Sequence, residues 1–219
     1  MRRMVTAARA LGVGMNDESG IRRGRKYQQV LAGARDVFMA DGFEGASVDT
    51  IAKRAGVSKA TLYSYFADKR LLFMEVATCE CGKQAAAAFD DLDMDAPPAE
   101  ALRFAGTHLL GFLLSEFGQK VFRICVAETD RFPELGARFW ESGPGLVERT
   151  LCRYFSRAKA RGELAIDDHC LAAHQFAELC KAELFPRLVF GMQTEFTEAE
   201  RARVIDGAVE MFLARYATR

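Results

Sequence analysis

The sequence lacks the long apolar run that a membrane-spanning helix requires. Arg9 interrupts the apolar stretch near the start, and no stretch of about 20 apolar residues follows. It also lacks a G-x-S-x-G elbow, a Gly-rich phosphate loop and an H-E-x-x-H pair, and it has 3 histidines. These absences predict a soluble protein with no membrane partner, no catalytic residues, no metal and no cofactor, and they argue against an enzyme.

Cysteine is sparse, with 6 residues in 219 and no secretory signal, which predicts a reduced, cytoplasmic protein without disulfides. Cys79 and Cys81 are two apart, so on a helix they point away from each other. Cys170 and His174 share a helix face, but a zinc site needs a third and a fourth ligand. Cys180 lies on a different side of the helix from His174, so it does not supply one. A cysteine-based redox or metal sensor therefore stays an alternative function, as does an all-α enzyme.

An excess of charge of either sign is also missing, since 30 basic residues balance 30 acidic ones. The distribution along the chain is uneven. Residues 1–72 hold 13 Lys and Arg against 7 Asp and Glu, whereas the remainder holds 17 against 23. A basic N-terminal third and an acidic remainder indicate a protein that binds phosphate groups through its N-terminal part.

Residues 47–66 have the pattern of two helices joined by a tight turn. Ser47 is a candidate N-cap for the first helix, whose buried face has helical spacing: Val48, Ile51, Ala52 and Ala55. Gly56 suits the left-handed end of that helix, and Ser58 can cap the second. The second helix has an apolar side of Leu62, Tyr65 and Phe66. Its first turn and outer side carry Lys59, Ala60, Thr61, Tyr63 and Ser64, which predicts a helix-turn-helix with a polar face open to a DNA groove.

No segment shows the alternation of apolar and polar residues between turn signals that is typical of a strand. Apolar residues instead recur about every 3.6 residues, as on a helix, up to the end of the chain. Both observations predict an all-α fold. We divide the chain into a flexible basic tail (1–24), a three-helix DNA-binding domain (25–72) and a larger helical regulatory domain (73–219). The basic cluster 22–26 ends the tail. A helix capped by Asp68 links the two domains.

The last two helices, about 168–190 and 197–217, are expected to form the subunit interface. Thr197 and Glu200 have the form of a capping box at the start of the final helix. The helix before it is apolar on more than one side, as in a helix central to its domain or shared with a second subunit. We expect a homodimer built on a four-helix bundle across a two-fold axis.

The chain holds 17 phenylalanines and 1 tryptophan, which fits a pocket for an apolar or aromatic compound, although core packing explains any one of them. His108 and Glu128 are polar residues in apolar surroundings and are candidates for orienting a ligand. The candidate lining residues are Phe104, His108, Phe112, Phe122, Glu128, Trp140, Phe155 and Phe176, with Phe185 beside them.

The run from Lys26 to Met74, and above all residues 47–66, resembles the DNA-binding domain of TetR-family transcriptional regulators. Residues 127–135 and 161–164 are similar to the C-terminal domains of AefR-like members. The resemblance implies a homodimer on double-stranded operator DNA, with a helical C-terminal domain that binds a small-molecule effector and alters operator affinity.

Carried over by position, the resemblance implies that Lys59, Thr61 and Tyr63 meet the groove. Tyr65 and Lys69 would meet phosphates, and Ser47 or Thr50 would touch the backbone of DNA. Ala60 and Ser64 lie on the same outward face, although many members carry a bulkier polar residue where this chain has Ser64. The residue types suit these contacts, because Lys donates to guanine, Thr offers a hydroxyl and a methyl, and a tyrosine hydroxyl donates to phosphate.

We therefore interpret the chain as a dimeric, ligand-responsive regulator, and specifically as a repressor released from its operator by an apolar or aromatic ligand.

Overall fold

The computed structural model describes residues 24–130 and 133–218, apart from nine side chains, those of residues 84–89, 128, 134 and 135. Within these ranges the regular structure is α-helical, which confirms the predicted all-α fold. The tail predicted for residues 1–24 lies outside the described residues except for its last glycine. None of the described helices is long and apolar enough to cross a membrane.

The chain divides between Phe73 and Met74 into two compact units. The first unit contains three helices and the start of a fourth: α1 (Arg25–Gly45), α2 (Val48–Ala55), α3 (Lys59–Tyr65) and the first residues of α4 (Lys69–Asp90). The second unit contains the rest of α4 and seven further described helices: α5 (Pro98–Leu114), α6 (Glu116–Glu128), α7 (Pro133–Ser142), α8 (Pro144–Ala160), α9 (His169–Lys181), α10 (Leu184–Val189) and α11 (Glu198–Tyr216).

In the first unit, α1 and α2 cross at a point of close backbone approach. A Cβ atom added at Gly33 of α1 would lie 2.7 Å from the Cα of Ala55 on α2, well inside van der Waals contact. Farther along α1, Val30, Ala34 and Phe38 are buried against the same small core. The crossing therefore depends on a residue without a side chain.

The helix-turn-helix has the caps that its sequence predicts. The Ser47 hydroxyl accepts a hydrogen bond from the Thr50 N–H at 3.0 Å, and the Ser58 hydroxyl accepts one from the Thr61 N–H at 3.1 Å. Gly56 ends α2 with φ +64°, a conformation that costs other residues about 1 kcal/mol or more. These local signals fix where α2 ends and α3 begins.

The core of the second unit is built on aromatic rings from three helices. Phe155 of α8 stacks on Phe212 of α11 with centroids 5.2 Å apart, and Phe176 of α9 meets the same ring edge-on at 5.5 Å. All three side chains are almost completely buried. Helices α8, α9 and α11 are thereby held around one ring cluster.

The single helix expected over 168–190 is wrong, because the structure breaks it into α9 and α10. Pro186 lacks an N–H, and its ring would clash with the carbonyl of Ala182 in a continuous helix. Accordingly Ala182 leaves the helical region with ψ 133°, and Glu183 takes φ +67°. The Glu183 carboxylate then pairs with Arg187 at 3.0 Å and also with Arg203 of α11.

The capping box predicted for the final helix is confirmed. The Thr197 hydroxyl accepts a hydrogen bond from the Glu200 N–H at 3.2 Å, and the Thr197 N–H donates to the Glu200 carboxylate at 2.7 Å. This hydrogen bond to the Thr197 backbone holds the pKa of Glu200 below its usual value, helped by hydrogen bonds from the side chains of Gln193 and Thr197. The start of α11 is thus fixed by two reciprocal bonds.

Candidate nucleic-acid interface and ligand cavity

Helix α3 presents a polar face that the rest of its unit leaves exposed. Leu62 and the following Phe66 are buried and anchor the helix, and Phe66 stacks on Tyr27 of α1 with centroids 5.5 Å apart. The opposite side holds the residues predicted to face DNA: Lys59, Ala60, Tyr63 and Ser64 are exposed, and Thr61 is half-buried. Burial of one side therefore determines which side chains α3 offers to a partner.

Lys59 forms an ion pair with Asp49, which lies in the first turn of α2. The Nζ to Oδ1 distance is 2.5 Å. The hydrogen bond that the Lys59 ammonium donates to the Asp49 carboxylate raises the pKa of Lys59 above its usual value. Ser47 and Thr50 are exposed beside Asp49 at the same end of α2, with their hydroxyls 2.8 Å apart. The starts of α2 and α3 thus share one surface, where Lys59 already has an anionic partner.

The hydroxyl groups of Thr61 and Ser64 make bonds within α3 and its cap. The Thr61 and Ser58 hydroxyl oxygens are 2.9 Å apart, and the Ser64 hydroxyl donates to the Thr61 carbonyl at 2.7 Å. Both side chains keep lone pairs for a further donor. Their first contribution is to order the two turns of α3.

The two tyrosines predicted to contact DNA have different surroundings. Tyr63 is 50% exposed. Tyr65 is half-buried and meets the ring of Tyr27 edge-on, with centroids 5.6 Å apart. Tyr63 is therefore accessible to a partner, whereas Tyr65 also packs α3 against α1.

Lys69 is positioned by backbone carbonyls. Its Nζ donates to the Phe43 carbonyl at 2.8 Å and to the Ala46 carbonyl at 3.0 Å, and it lies 4.5 Å from the centroid of the Phe43 ring. An ammonium has three N–H donors, so one remains for a phosphate. The first residue of α4 thus ties down the segment between α1 and α2, a role that the sequence did not predict.

The second unit contains a cavity of about 530 Å³, in the size range of sites for small molecules. The lining side chains come from five helices. The apolar part of the wall is formed by Leu109, Phe112, Leu113, Phe139, Trp140, Val147, Ala173 and Ala177, and the polar part includes His108, Ser115, Glu148, His174, Glu178 and Lys181.

Three of the eight predicted ligand residues line this cavity: His108, Phe112 and Trp140. Phe155 and Phe176 belong to the ring cluster of the core instead. Phe104 is half-buried against that core, and Phe122 packs edge-on against Phe185 at 5.2 Å. Glu128 ends α6, and its side chain lies outside the described residues.

The ring of His108 has a defined orientation in the cavity wall. Its Nδ1 lies 2.9 Å from the Phe104 carbonyl, and the ring centroids of the two residues are 4.2 Å apart. A carbonyl oxygen accepts hydrogen bonds, so Nδ1 is the donor in this contact. In the tautomer with a single ring proton, Nε2 therefore keeps its lone pair.

A polar stripe on α9 was missed. His174, Glu178 and Lys181 follow at i, i+4 and i+7, so they share one helix face, and all three line the cavity. His174 donates from Nε2 to the Glu148 carboxylate of α8 at 3.1 Å, while Lys181 pairs with Glu178 at 2.5 Å. Helical spacing alone was sufficient to find this stripe, although not its partner on α8.

Three of the cysteines are poorly suited to redox chemistry. Cys81, Cys125 and Cys180 are buried, and burial raises the pKa of their thiols to about 12, 11 and 12 respectively. The nucleophilic form of a cysteine is the thiolate, which such thiols hardly populate at neutral pH. Burial, together with the neighbouring Cys170 thiol, also raises the pKa of Cys152 to about 11, so Cys79 and Cys170 are the cysteines left for a thiol switch.

The exposed polar helix held in a helix-turn-helix defines a DNA-binding protein of the helix-turn-helix class. Residues 30–76 match the family model described as bacterial regulatory proteins of the tetR family. Residues 100–218 match the model of the AefR-like transcriptional repressor C-terminal domain. The chain belongs to the TetR family of transcriptional regulators.

Solved structures of the family align over nearly the whole of their length. A TetR-family regulator from Mesorhizobium loti MAFF303099 has a TM-score of 0.78 and 28% identity, over 90% of this chain and 100% of that one. The flavonoid-responsive regulator FrrA has a TM-score of 0.72 and 35% identity, over 90% of this chain and 99% of that one.

Several curated relatives match over shorter segments. The transcriptional activator FasR of Mycolicibacterium smegmatis is 43% identical over 54 residues, which is 25% of this chain and 25% of FasR. The aligned segment therefore spans a quarter of that relative. Because an activator shares it, this segment does not determine the direction of regulation.

Proposed function

We propose that this protein is a homodimeric repressor that leaves its operator when an aromatic compound binds in the cavity of the second unit. The observation that carries the proposal is a pair of features in one chain. An exposed polar recognition helix lies in the first unit, and a cavity with an aromatic wall lies in the second. The similarity of residues 100–218 to an AefR-like repressor domain supports the direction of regulation.

The DNA-binding step uses the exposed face of α3. The major groove of B-DNA is about 12 Å wide and admits one helix. In the proposed complex Lys59 exchanges its exposed partner Asp49 for a base edge or a phosphate, an exchange that costs little because both side chains are in water. Thr61 and Tyr63 contact the groove, Tyr65 and Lys69 reach phosphates, and Ser47 or Thr50 touches the DNA backbone.

A homodimer supplies the second half-site contact. Leu171 of α9 and Met211 of α11 are 51% and 63% exposed, and they line one shallow groove together with Leu179 and Tyr216. Exposed apolar side chains on these helices are suited to packing against a second copy. The two copies of α3 must then lie about 34–36 Å apart, or a multiple of this, to enter successive major grooves.

The effector we propose is a planar aromatic compound that carries hydroxyl groups. Phe112, Phe139 and Trp140 supply an apolar wall, while His108 presents an acceptor nitrogen. FrrA, which shares 35% of its residues with this chain, is described as flavonoid-responsive. A phenolic hydroxyl would donate to Nε2 of His108, and the ring would lie against the aromatic side chains.

Helix α4 connects ligand binding with DNA binding, because it runs from the first unit into the second. It begins at Lys69, which ties down the helix-turn-helix, and Cys81 on the same helix lines the cavity. If the ligand binds more tightly to molecules with α4 in one of two positions, its binding raises the fraction of molecules with α4 in that position. A small change in the separation of the two recognition helices is then enough to lose one half-site.

The DNA-binding part is tested with Lys59→Ala and a matched lysine. Lys120→Ala is the control, because Lys120 also pairs with an acidic side chain at 2.5 Å, in the second unit. Operator affinity, measured by gel shift or fluorescence anisotropy, should fall at least tenfold for Lys59→Ala and stay constant for Lys120→Ala. Equal affinity of both folded variants would contradict the role of α3.

The ligand-binding part is tested with two phenylalanines that are both half-buried. Phe112 lines the cavity and Phe122 does not. A panel of flavonoids and simple phenols is screened by thermal shift and calorimetry, and its best binder is then used with the variants. Phe112→Ala should weaken binding and Phe122→Ala should leave it unchanged. The proposal fails if no panel member binds or if both variants bind equally.

A further inference from the structure

Helices α8 and α9 bring together four side chains that the sequence spreads over 27 positions. Glu148 and Cys152 are one turn apart on α8, and Cys170 and His174 are one turn apart on α9. The Sγ atoms of Cys152 and Cys170 are 3.8 Å apart, and the His174 Nε2 lies 3.1 Å from the Glu148 carboxylate. Helices α8 and α9 therefore make two side-chain contacts here, Cys152 with Cys170 and Glu148 with His174, one helical turn apart.

Three of these groups are close enough to share one ion. The ligand atoms of Glu148, Cys152 and Cys170 all lie within 4.8 Å of one another. From this arrangement we propose a binding site for Zn²⁺ or a similar thiophilic divalent cation, with Glu148, Cys152 and Cys170 as ligands. His174 is a positioning residue that holds the Glu148 carboxylate.

The separation of the two sulfur atoms agrees with this site. Two thiolates on a tetrahedral zinc ion, each at about 2.3 Å, are about 3.8 Å apart. A disulfide would require the sulfur atoms to approach to about 2.05 Å. The observed 3.8 Å therefore fits the edge of a metal tetrahedron without movement of either sulfur.

The oxygen ligand needs a small adjustment. A carboxylate oxygen at about 2.1 Å from zinc lies about 3.6 Å from each thiolate, so the Glu148 oxygen, at most 4.8 Å from each sulfur, has to move closer by about 1.2 Å at most. The Glu148 side chain is 23% exposed. A hydrogen bond to a ligating carboxylate is a common second contact in metal sites, and His174 supplies it here.

The donor set selects the kind of ion. Two thiolates and a carboxylate, with water at the fourth position of the tetrahedron, suit Zn²⁺ and its cobalt substitute. They do not suit Mg²⁺ or Ca²⁺, which bind oxygen. Glu148 and His174 also line the cavity. A bound cation would consequently link α8 to α9 and fix two polar groups of the cavity wall.

The test uses the full-length protein, reduced with a phosphine and freed of metal with a chelator. Co²⁺ is titrated in, and its visible and near-ultraviolet spectrum reports tetrahedral geometry and thiolate ligation. We expect saturation at one Co²⁺ per chain and displacement of Co²⁺ by one Zn²⁺. The thiolate band should disappear in Cys152→Ser and in Cys170→Ser, and His174→Ala should bind about 10–100-fold more weakly.

The control is Cys79→Ser, which changes another half-exposed cysteine outside the cluster and should keep the spectrum and the stoichiometry. Cys170 is exposed, so Cys170→Ser is expected to fold, which circular dichroism verifies. The proposal is overturned if the wild-type protein shows no thiolate band, or if the band survives in both cysteine variants. It is equally overturned if oxidation joins the two thiols while the reduced protein binds no Co²⁺. None of these measurements depends on operator binding.

Discussion

Replacement of Lys69 by alanine separates a structural role from a DNA contact. The Lys69 ammonium donates to the carbonyls of Phe43 and Ala46 and lies over the Phe43 ring. Ala46 directly precedes Ser47, the N-cap of α2. Lys69→Ala therefore removes the group that fixes the connection between α1 and α2, in addition to a positive charge near the proposed DNA surface.

The stability cost can be worked out from these contacts. A hydrogen bond from a charged donor contributes about 1.5–3 kcal/mol, and a cation over an aromatic ring about 0.5–1 kcal/mol. The site is part-buried, so water replaces some of what the carbonyls lose. We expect a net loss of about 2 kcal/mol in the first unit, whereas Lys120→Ala, which removes an exposed helical ion pair, should cost about 0.5 kcal/mol or less.

Hydrogen exchange measures the structural part of this prediction. A loss of about 2 kcal/mol corresponds to roughly 30-fold faster exchange for those amides of α2 that exchange only when the first unit unfolds. Unchanged exchange in peptides covering residues 43–55 would refute the structural role.

Salt dependence measures the DNA part. One lost phosphate contact lowers the slope of log K against log salt by about 0.9 and weakens binding to operator and random DNA alike. A loss confined to the operator would refute the phosphate contact.

Two further predictions follow from the first unit. Gly33→Ala should destabilise it by about 1–3 kcal/mol, because the new Cβ would lie 2.7 Å from the backbone of Ala55. The same change at Gly82 of α4 should stabilise its helix by about 0.5–1 kcal/mol, because no described atom outside its chain neighbours and its own helix backbone lies within 4 Å of the new Cβ. Equal urea midpoints of the two variants would contradict both expectations. Asp49→Asn should strengthen binding to DNA several-fold, because it frees Lys59 and removes a negative charge near phosphate; weaker binding in anisotropy titrations would count against this competition.

The sequence predicts the helix-turn-helix well because its signals are local. Ser47, Gly56 and Ser58 act on the backbone within three residues, and all three have the predicted cap role. The break between α9 and α10 had an equally local cause in Pro186, but an apolar run on both sides of it suggested one continuous helix.

The cavity and the cysteine pair could not be predicted in the same way. Phe112 and Phe155 are both apolar residues on amphipathic helices, and composition does not tell which faces a cavity and which faces another ring. Cys152 and Cys170 are 18 residues apart, and their 3.8 Å contact depends on how α8 and α9 pack. These are tertiary properties, set by helix rotation and register between elements.

Helix α3 depends on its neighbours for its position. It has 7 residues, and isolated helices shorter than about 12–15 residues are marginal in water. Within α3, Leu62 is the one buried side chain among the described residues, and Phe66 follows it into the core against Tyr27. The orientation of the recognition face is therefore set by the α1–α2 scaffold, while the exposed side chains contribute little to stability. Substitution of Tyr63 should consequently change DNA affinity in a folded protein, whereas Leu62→Ala should remove operator binding by releasing the whole helix. A Leu62→Ala variant that binds operator normally would show that α3 is held in place by something other than this packing.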